Sequence, residues 1–381
     1  MEPYQTRVEH FRADLAAEGD VAFFPVAANC QYLTGAPRDM PNFGAILHPG
    51  DWAEGVWIAP QRKPTFIVTR MSAELGGQVG STVCELRQLA DTEDATAAVD
   101  SLLTAWEIND APRILIGDQT LGKTIAQLQR LRPGATFGSA SELLGQQRQI
   151  KSAFEIEKLQ RAGALTESVL AEVIQHLKHG MTELDIISEV DYQLRRQGSL
   201  GPSFTTTLYC SGPDHPLQLG NPTASQNRPL VPPVSILFDF GGIVDGYCYD
   251  YGRTVCFGGP IDEQRRVHQL VMSAQRVGIE ALVPGVTGSE VDRRARQVIE
   301  QGGYGPAFRH RLGHAIGLDV HEPPFLAPGD DTPLQAGMTI TVEPSIKQDH
   351  GFSARVEDIV RVGVGGGEPL TTGYPSLIVI D

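Results

Sequence analysis

Apolar positions in the first 150 residues follow the periods of alternating helices and strands. Val8, Phe11 and Leu15 recur at helical spacing and predict an amphipathic helix over residues 4–18. Helical spacing returns at 97–106 and 121–131. Short apolar runs predict buried strands at 21–26, 46–49, 65–69 and 113–117. This alternation predicts a smaller α/β domain over residues 1–150, in which we find no metal-ligand, nucleophile or phosphate-loop motif.

The apolar pattern changes near residue 150 to that of a long amphipathic helix. Ser152 with Glu155 three residues later is a capping box, which satisfies free N–H groups at a helix start. Gly180 is a suitable residue to end this helix, and a second helix is predicted from Thr182 to about Gln197. Loop-forming residues precede the capping box, so we expect a second domain over residues 151–381.

Residues 237–255 have the pattern of a β-hairpin. Two apolar and aromatic segments flank Asp245-Gly246, a strong signal for a two-residue turn. Asp239 lies on the first arm and Asp250 on the second, among residues typical of a half-buried strand. Buried carboxylates are costly without a cation, so the hairpin can hold a metal. Taken alone, the pair is more simply interpreted as solvated or capping aspartates beside a turn.

Features of the second domain repeat about one hundred residues further on. The segment 180–185 is echoed by 285–292. A second hairpin pattern over 339–360 carries Glu343 and Glu357, which take the places of the two aspartates. We infer two similar halves related by a pseudo-two-fold axis, each offering one acid-bearing hairpin.

Length and composition restrict the possible classes of protein. The 381 residues are enough for two domains, and the hydrophobic fraction of 41% is ordinary for a globular protein. The net charge of −15 argues against a nucleic-acid partner. No apolar run is long enough to span a membrane, and the start of the chain lacks a signal-peptide pattern, so we expect a cytoplasmic protein. The five widely spaced cysteines, without Cys-x-x-Cys, predict reduced, buried thiols.

Three histidines occur within twelve residues, at His310, His314 and His321, and glycines between them allow close backbone approach. A single histidine is more often structural, but this grouping favours a site. With the hairpin acids, His314 completes a candidate set of metal ligands. The set is Asp239, Asp250, His314, Glu343 and Glu357.

This ligand set predicts a particular chemistry. Four converging carboxylates repel one another unless cations balance their charge, and two divalent ions would do so. Oxygen ligands with one nitrogen suit Mn²⁺, Co²⁺, Fe²⁺ or Zn²⁺, of which we expect Mn²⁺ first. Two-metal hydrolases activate water at such sites and need no Ser or Cys nucleophile. The sequence therefore predicts metal-dependent amide hydrolysis.

Residues 150–381 resemble the superfamily of methionine aminopeptidase, aminopeptidase P, prolidase and creatinase. The matching segments keep their order and spacing, and they are 238–241, 246–254, 313–322, 342–344 and 355–358. The resemblance implies an α+β protein with a C-terminal pita-bread fold, in which the five residues named above bind two divalent metals. Residues 1–150, including 29–35, resemble the creatinase-like N-terminal domain of the branch that contains creatinase, prolidase and aminopeptidase P. That branch implies cleavage at Xaa-Pro bonds and short proline-containing peptides as substrates.

The resemblance also implies roles for individual residues. Glu343 matches the ligand that doubles as general base, and His321 the histidine that stabilises the tetrahedral intermediate. His310 matches a histidine lining the pocket after the scissile bond. Arg355 matches an arginine that orders the site and can meet a substrate carboxylate. Tyr247 resembles a tyrosine just behind the ligands, and we count it among the expected substrate-binding residues.

One position departs from the family pattern. Prolidases and aminopeptidases P usually carry a further histidine before the first aspartate, and Leu219 takes its place here. His215, four residues earlier, either reaches into the site from the loop or leaves that contact absent. We therefore include His215 as a candidate substrate-binding residue.

Several alternatives remain open from the sequence. The leading hypothesis is an Xaa-Pro dipeptidase or an Xaa-Pro aminopeptidase, and the sequence does not separate the two. Another C–N hydrolase or lyase on the same scaffold, or a catalytically silent peptide-binding protein, are the alternatives. A homodimer is expected by analogy.

Overall fold

The computed structural model describes residues 3–38, 49–76, 83–218, 227–349, 351–371, 373 and 376–380. The chain divides into two compact units, Met1–Arg148 and Gln149–Asp381.

The first unit contains a six-stranded mixed sheet with strand order β4-β3-β2-β1-β5-β6. β1 pairs antiparallel with β2 and parallel with β5, so both hydrogen-bonding edges of β1 are used. The strands are β1 (Val21–Pro25), β2 (Gly55–Ile58), β3 (Thr65–Thr69), β4 (Glu85–Leu89), β5 (Arg113–Ile116) and β6 (Thr136–Ser139). The helices are α1 (Tyr4–Glu18), α2 (Ala28–Thr34), α3 (Arg70–Gly76), α4 (Ala95–Ala105), α5 (Gly122–Leu131) and α6 (Ala140–Gln149).

The strongly periodic elements of this unit match the sequence-based expectation. Helix α1 spans the predicted 4–18 and buries Val8, Phe11 and Leu15. β1, β3, β5, α4 and α5 also lie where apolar patterns predicted them. β4 was not predicted, because four of its five residues are exposed and it lacks an alternating apolar face. Of the predicted strand at 46–49, residues 46–48 lie outside the described residues and residue 49 lies in a turn.

The second unit begins at the capping box. Ser152 Oγ accepts a hydrogen bond from the N–H of Glu155, whose side chain accepts one from the N–H of Ser152. The helices are α7 (Ala153–His176), α8 (Glu183–Arg196), α9 (Asp262–Glu280) and α10 (Gly288–Gln301). The longer strands are β7 (Thr207–Ser211), β8 (Val234–Phe240), β11 (Tyr251–Phe257), β12 (Gly313–Ala315), β13 (Glu322–Leu326), β14 (Thr339–Val342), β17 (Asp358–Arg361) and β19 (Ile378–Ile380). The two-residue strands are β9 (Ile243–Val244), β10 (Tyr247–Cys248), β15 (Ser345–Ile346), β16 (Ala354–Arg355) and β18 (Glu368–Pro369).

The second unit consists of two halves with the same order of elements. A helix pair, α7 with α8 or α9 with α10, precedes three adjacent antiparallel strands in each half. These strands are β7-β8-β11 in one sheet and β12-β14-β17 in the other. Thr182 and Thr287 cap the second helix of each pair through the same side-chain contact, and each forms a bridge to a proline. The predicted internal pseudo-two-fold repeat is thus confirmed.

The halves meet at a close backbone contact between β11 and the segment before β17. Glu357 N–H donates to the carbonyl of Gly252 at 2.9 Å. A Cβ on Gly252 would lie 2.8 Å from Arg355 Cδ and 2.9 Å from Glu357 Cβ, so only glycine fits here without displacement. Thr254 Oγ1 adds a second link, because it accepts from the N–H of Arg355 and donates to its carbonyl. This seam brings the two predicted hairpins together.

The cysteines are all free and buried, as the sequence predicted. Across the described ranges, no helix combines the length and the apolar character needed to cross a bilayer.

Candidate metal centre

The first acid-bearing hairpin has the predicted turn. Asp245 and Gly246 adopt φ of 51° and 84°, the left-handed conformation that a tight two-residue hairpin turn requires. They join β9 to β10, while β8 and β11 pair further along, with Asp239 opposite Gly252. Asp250 lies in the short segment between β10 and β11. Because Asp250 lies between the two strands rather than in either, the alternation of side chains along the ladder does not fix its direction.

The second hairpin has a similar break. β14 pairs with β17, and β15 pairs with β16 beyond the interruption. Glu343 follows the last residue of β14, and Glu357 precedes the first residue of β17. Because Val342 is paired with Asp358, the two glutamates are neighbours across the hairpin. They face the aspartates of the first hairpin across the seam.

His314 lies on β12 and is 1% exposed. Its Nδ1 lies 3.1 Å from the carbonyl of Ala315, which can only accept, so Nδ1 carries the proton. The Nε2 lone pair then faces Asp250 Oδ2 at 3.4 Å and Glu343 Oε1 at 3.5 Å. A backbone carbonyl that fixes the tautomer in this way is typical of a metal-ligating histidine.

The five predicted ligands form one cluster. Ligand atoms of Asp239, Asp250 and Glu357 lie within 4.8 Å of one another, as do those of His314, Glu343 and Glu357. A third group joins Asp250 and His314 to His321. These groups overlap at Asp250, His314 and Glu357, so the candidate ligands form one continuous cluster.

The donor set fits divalent ions. Oδ1 of Asp250 and Oε1 of Glu357 are buried and have no hydrogen-bond partner, although buried carboxylate oxygens normally have one. Buried carboxylate oxygens without a hydrogen-bond partner, beside an imidazole nitrogen that carries no proton, suit the coordination of a divalent cation.

The pKa shifts of the cluster carboxylates also favour a bound cation. Burial, followed by the charge of Asp239, raises the pKa of Asp250 to about 8. Burial raises the pKa of Glu343 to about 7, against the opposing charge of Arg355. Burial and the charge of Asp250 raise the pKa of Glu357 well above its usual range. The protein thus holds carboxylates that are unfavourable as anions unless positive charge is supplied.

Arg355 supplies part of that charge from within the chain. It lies on β16, and its Nη1 is 2.5 Å from Asp239 Oδ2 and 3.4 Å from Glu357 Oε2. Its Nη2 lies 3.2 Å from Glu343 Oε2. One guanidinium therefore contacts three of the four acids, and both terminal nitrogens are engaged inside the cluster.

His310 lies beside the cluster in the neutral form. Its Nδ1 donates to the carbonyl of Arg311 at 2.7 Å, which leaves Nε2 as an acceptor. Ser345 Oγ and Arg355 Nη2, 3.2 Å away, both approach that nitrogen. Burial and the positive charge of Arg355 lower the pKa of His310 to about 2. An edge contact with Phe308, at a centroid distance of 5.3 Å, completes its packing.

His321 lies at the open side of the cluster. Its ring stands nearly perpendicular to that of His314, with centroids 4.2 Å apart. Partial burial and His314 lower its pKa to about 4, so it is neutral near pH 7. The next residue, Glu322, forms a buried ion pair with Lys151 at 2.9 Å. This ion pair holds the segment that carries His321.

His215 packs against the start of α8, whereas one alternative from the sequence has it reach into the site from its loop. It is 2% exposed, and its Nε2 lies 3.3 Å from Glu183 Oε1 at the start of α8. Arg228 also contacts that carboxylate at 3.3 Å. The buried acid holds the imidazole, and the substrate-binding role expected of His215 stays a prediction. Leu219 lies outside the described residues.

Tyr247 is placed against helix α7. Its hydroxyl donates to Glu155 Oε1 at 3.3 Å, the same glutamate that completes the capping box of α7. The contact ties the tip of the first hairpin to the helix. A role of Tyr247 toward substrate stays a prediction.

Sequence reasoning missed three side chains near the cluster: Ser345, Tyr209 and Lys347. Ser345 follows the Glu343-Pro344 motif by one residue, and this position could have marked it. Tyr209 and Lys347 carried no local signal, because their approach depends on how β7 and β15 are arranged in space.

Comparison with known proteins supports the interpretation of this site. Residues 157–363 match metallopeptidase family M24. YkvY of Bacillus subtilis is 33% identical over 363 residues, which cover 94% of this chain and 95% of that protein. The Xaa-Pro dipeptidase of Lactobacillus helveticus is 38% identical over 263 residues, 68% of this chain and 70% of that protein. A dipeptidase crystal structure from Pyrococcus horikoshii OT3 has a TM-score of 0.85 at 28% identity, covering 98% and 100% of the two chains.

The fold and the acid-rich centre are those of a pita-bread hydrolase that works with metal ions. The chain belongs to metallopeptidase family M24. The family and fold expected from the sequence motifs are thereby confirmed, and the enzyme is a metallopeptidase.

Proposed function

We propose that this enzyme is an Xaa-Pro dipeptidase that hydrolyses the bond before proline. The observation that carries the proposal is the convergence of four carboxylates and one unprotonated imidazole nitrogen, with two buried carboxylate oxygens left unpaired. The relatives named as dipeptidases support the substrate class.

Asp239, Asp250, His314, Glu343 and Glu357 are the proposed ligands of two divalent ions, of which Mn²⁺ is the first to test. When bound, the ions supply Lewis-acid activation of the attacking water and of the scissile carbonyl. The proposed ligands of the two ions come from both halves of the second unit, so the site depends on the contact between these halves.

Glu343 is proposed as the proton carrier. Its carboxylate takes a proton from the attacking water as a C–O bond forms at the carbonyl carbon. It returns the proton to the proline nitrogen as the C–N bond breaks, so no net proton stays on the enzyme. Arg355 at 3.2 Å and Thr341 Oγ1 at 3.5 Å limit the positions of the Glu343 carboxylate.

His321 is proposed to donate a hydrogen bond to the carbonyl oxygen as negative charge develops there. Its place at the open side of the cluster leaves it reachable by substrate. His310 is proposed as a wall for the proline ring, because both its nitrogens are occupied by Arg311 and by Ser345 with Arg355.

The test is peptide hydrolysis by protein that has been stripped of metal and reloaded separately with Mn²⁺, Co²⁺, Zn²⁺ or Fe²⁺. We expect cleavage of Ala-Pro, slower cleavage of Ala-Pro-Ala and little cleavage of Ala-Ala. Glu357→Gln should lose both metal binding and activity. The exposed Glu368→Gln on β18 is the matched control and should keep both. Failure of every metal form to cleave Ala-Pro and Ala-Pro-Ala would refute the proposal.

The other expectations have separate outcomes. Cleavage of Ala-Pro-Ala in preference to Ala-Pro would indicate an aminopeptidase. Peptide binding without cleavage would indicate a silent binding protein. A homodimer is also proposed, and size-exclusion chromatography with light-scattering detection would test it.

A further inference from the structure

Lys347 is a buried cation beside the metal centre. It follows β15 directly, and its backbone N–H donates to the carbonyl of Ala307 at 3.0 Å. The residue is 8% exposed. Its Nζ lies 3.6 Å from the ring centroid of Tyr209, a cation–π contact. The side chain is therefore held in place rather than free in solvent.

Tyr209 shows where this ammonium lies. Its backbone pairs with Leu237, two residues before Asp239, so Tyr209 and Asp239 share one face of the β7-β8 ladder. Burial and then the charge of Asp239 raise the pKa of Tyr209. Lys347 thus lies on the side of the cluster where the first hairpin offers its aspartate.

Lys347 has no carboxylate in direct contact in the part of the chain that the structure describes, although the charges of Asp239, Glu343 and Glu357 act on it from a greater distance and oppose the lowering of its pKa. No ion pair within 4.0 Å involves its Nζ there, whereas Arg355 contacts Asp239, Glu343 and Glu357. Burial and the positive charge of Arg355 lower the pKa of Lys347 to about 8. A buried ammonium that no carboxylate contacts directly is costly, and such groups are usually paired. An anion from outside the chain would remove that cost.

The length of the substrate identifies such an anion. In a dipeptide, only the proline nitrogen and Cα separate the scissile carbonyl carbon from the C-terminal carboxylate carbon, a span of about 3 Å at the φ of about −65° that proline adopts. In a longer peptide, a neutral amide occupies that place. A cation beside the metal centre therefore distinguishes a dipeptide from a longer substrate.

We propose that Lys347 receives the C-terminal carboxylate of the dipeptide substrate and thereby restricts the enzyme to dipeptides. Arg355 is less suited to this task, because both its terminal nitrogens already contact acids of the cluster. This inference rests on the proposed Xaa-Pro hydrolysis and adds the residue that measures substrate length.

The first test uses the unaltered, Mn²⁺-loaded enzyme with Ala-Pro and its C-terminal amide. The free acid should have a KM about 10- to 100-fold lower than the amide, the effect of one charged hydrogen bond. Equal KM values would overturn the inference without any variant being needed. Absence of cleavage for both would instead count against the proposed function.

The second test compares Lys347→Met with Lys347→Arg. Lys347→Met should raise the KM for Ala-Pro about 10- to 100-fold and leave the KM for the amide unchanged. Lys347→Arg should recover most of the preference for the free acid, since it keeps the charge. A metal titration and a melting curve show that each variant is folded and loaded. An equal rise in KM for both substrates, or no rise, would overturn the inference.

Discussion

Replacing a proposed metal ligand should stabilise the metal-free enzyme while abolishing its activity. Asp250 is 4% exposed, and its pKa rises from 3.8 to about 8 in the folded, metal-free chain. The folded state therefore binds this proton more tightly than the unfolded state does. The contribution of Asp250 to stability therefore falls as pH rises from about 4 to about 8, because the unfolded carboxyl ionises freely while the buried one does not.

The magnitude follows from the shift. At pH 7, holding Asp250 in the folded state costs about 4 kcal/mol, at about 1.4 kcal/mol per pH unit above the unfolded pKa. Asp250→Asn removes this cost, and the desolvated amide offsets about 1–2 kcal/mol of the gain. We expect the free energy of unfolding of the metal-free variant to exceed that of the metal-free wild type by about 2–3 kcal/mol at pH 7. At pH 4 the ionisation cost is nearly gone while the amide offset remains, so the variant should be no more stable than the wild type.

The assay is urea unfolding of chelator-treated protein at pH 4, 5.5 and 7, followed by circular dichroism. Mn²⁺ should stabilise the wild type at pH 7 by an amount that grows with the logarithm of its concentration, and should stabilise Asp250→Asn far less. A metal-free Asp250→Asn protein that is less stable than the wild type at pH 7 would refute the reasoning.

Three further predictions concern the contact between the halves, a buried ion pair and the buried thiols. Gly252→Ala should weaken metal binding about ten-fold, because the added Cβ would lie 2.9 Å from Glu357. Gly365→Ala, where the added Cβ meets open space, should leave metal binding unchanged. Isothermal titration calorimetry with Mn²⁺ measures the affinity of both variants. Lys151→Met should cost about 3–5 kcal/mol in urea unfolding, because it removes the cation that contacts the buried Glu322 carboxylate, and adding Glu322→Gln should recover part of that loss. The native protein should react with a thiol reagent at none of its five buried cysteines and at all five in denaturant; rapid labelling of the native protein would contradict this.

Signals that act over a few residues predicted local structure well. The capping box at Ser152 and the turn at Asp245-Gly246 appear as expected, because each depends on backbone groups within four residues. The apolar period of α1 likewise predicted its bounds. By contrast, α2 and β4 are short and have no clear apolar face, so periodicity could not reveal them.

The repeat allowed one long-range prediction to succeed. The spacing of the two hairpins indicated that their acids would meet, and the structure brings Asp239, Asp250, Glu343 and Glu357 together with His314. The metal-binding role of these five residues stays a prediction. A repeated pattern carries information about tertiary structure because each half must bury the same face.

Sequence by itself determined the types of candidate ligand, their order, the turns that present them and the family of the fold. Tertiary structure alone decided that Arg355 is engaged with three acids, that His215 pairs with Glu183, and that Lys347 lies against the ring of Tyr209. These outcomes depend on the distance between side chains from strands and loops far apart in the chain. That distance is decided by packing across the seam between the halves, which no local pattern of residues encodes.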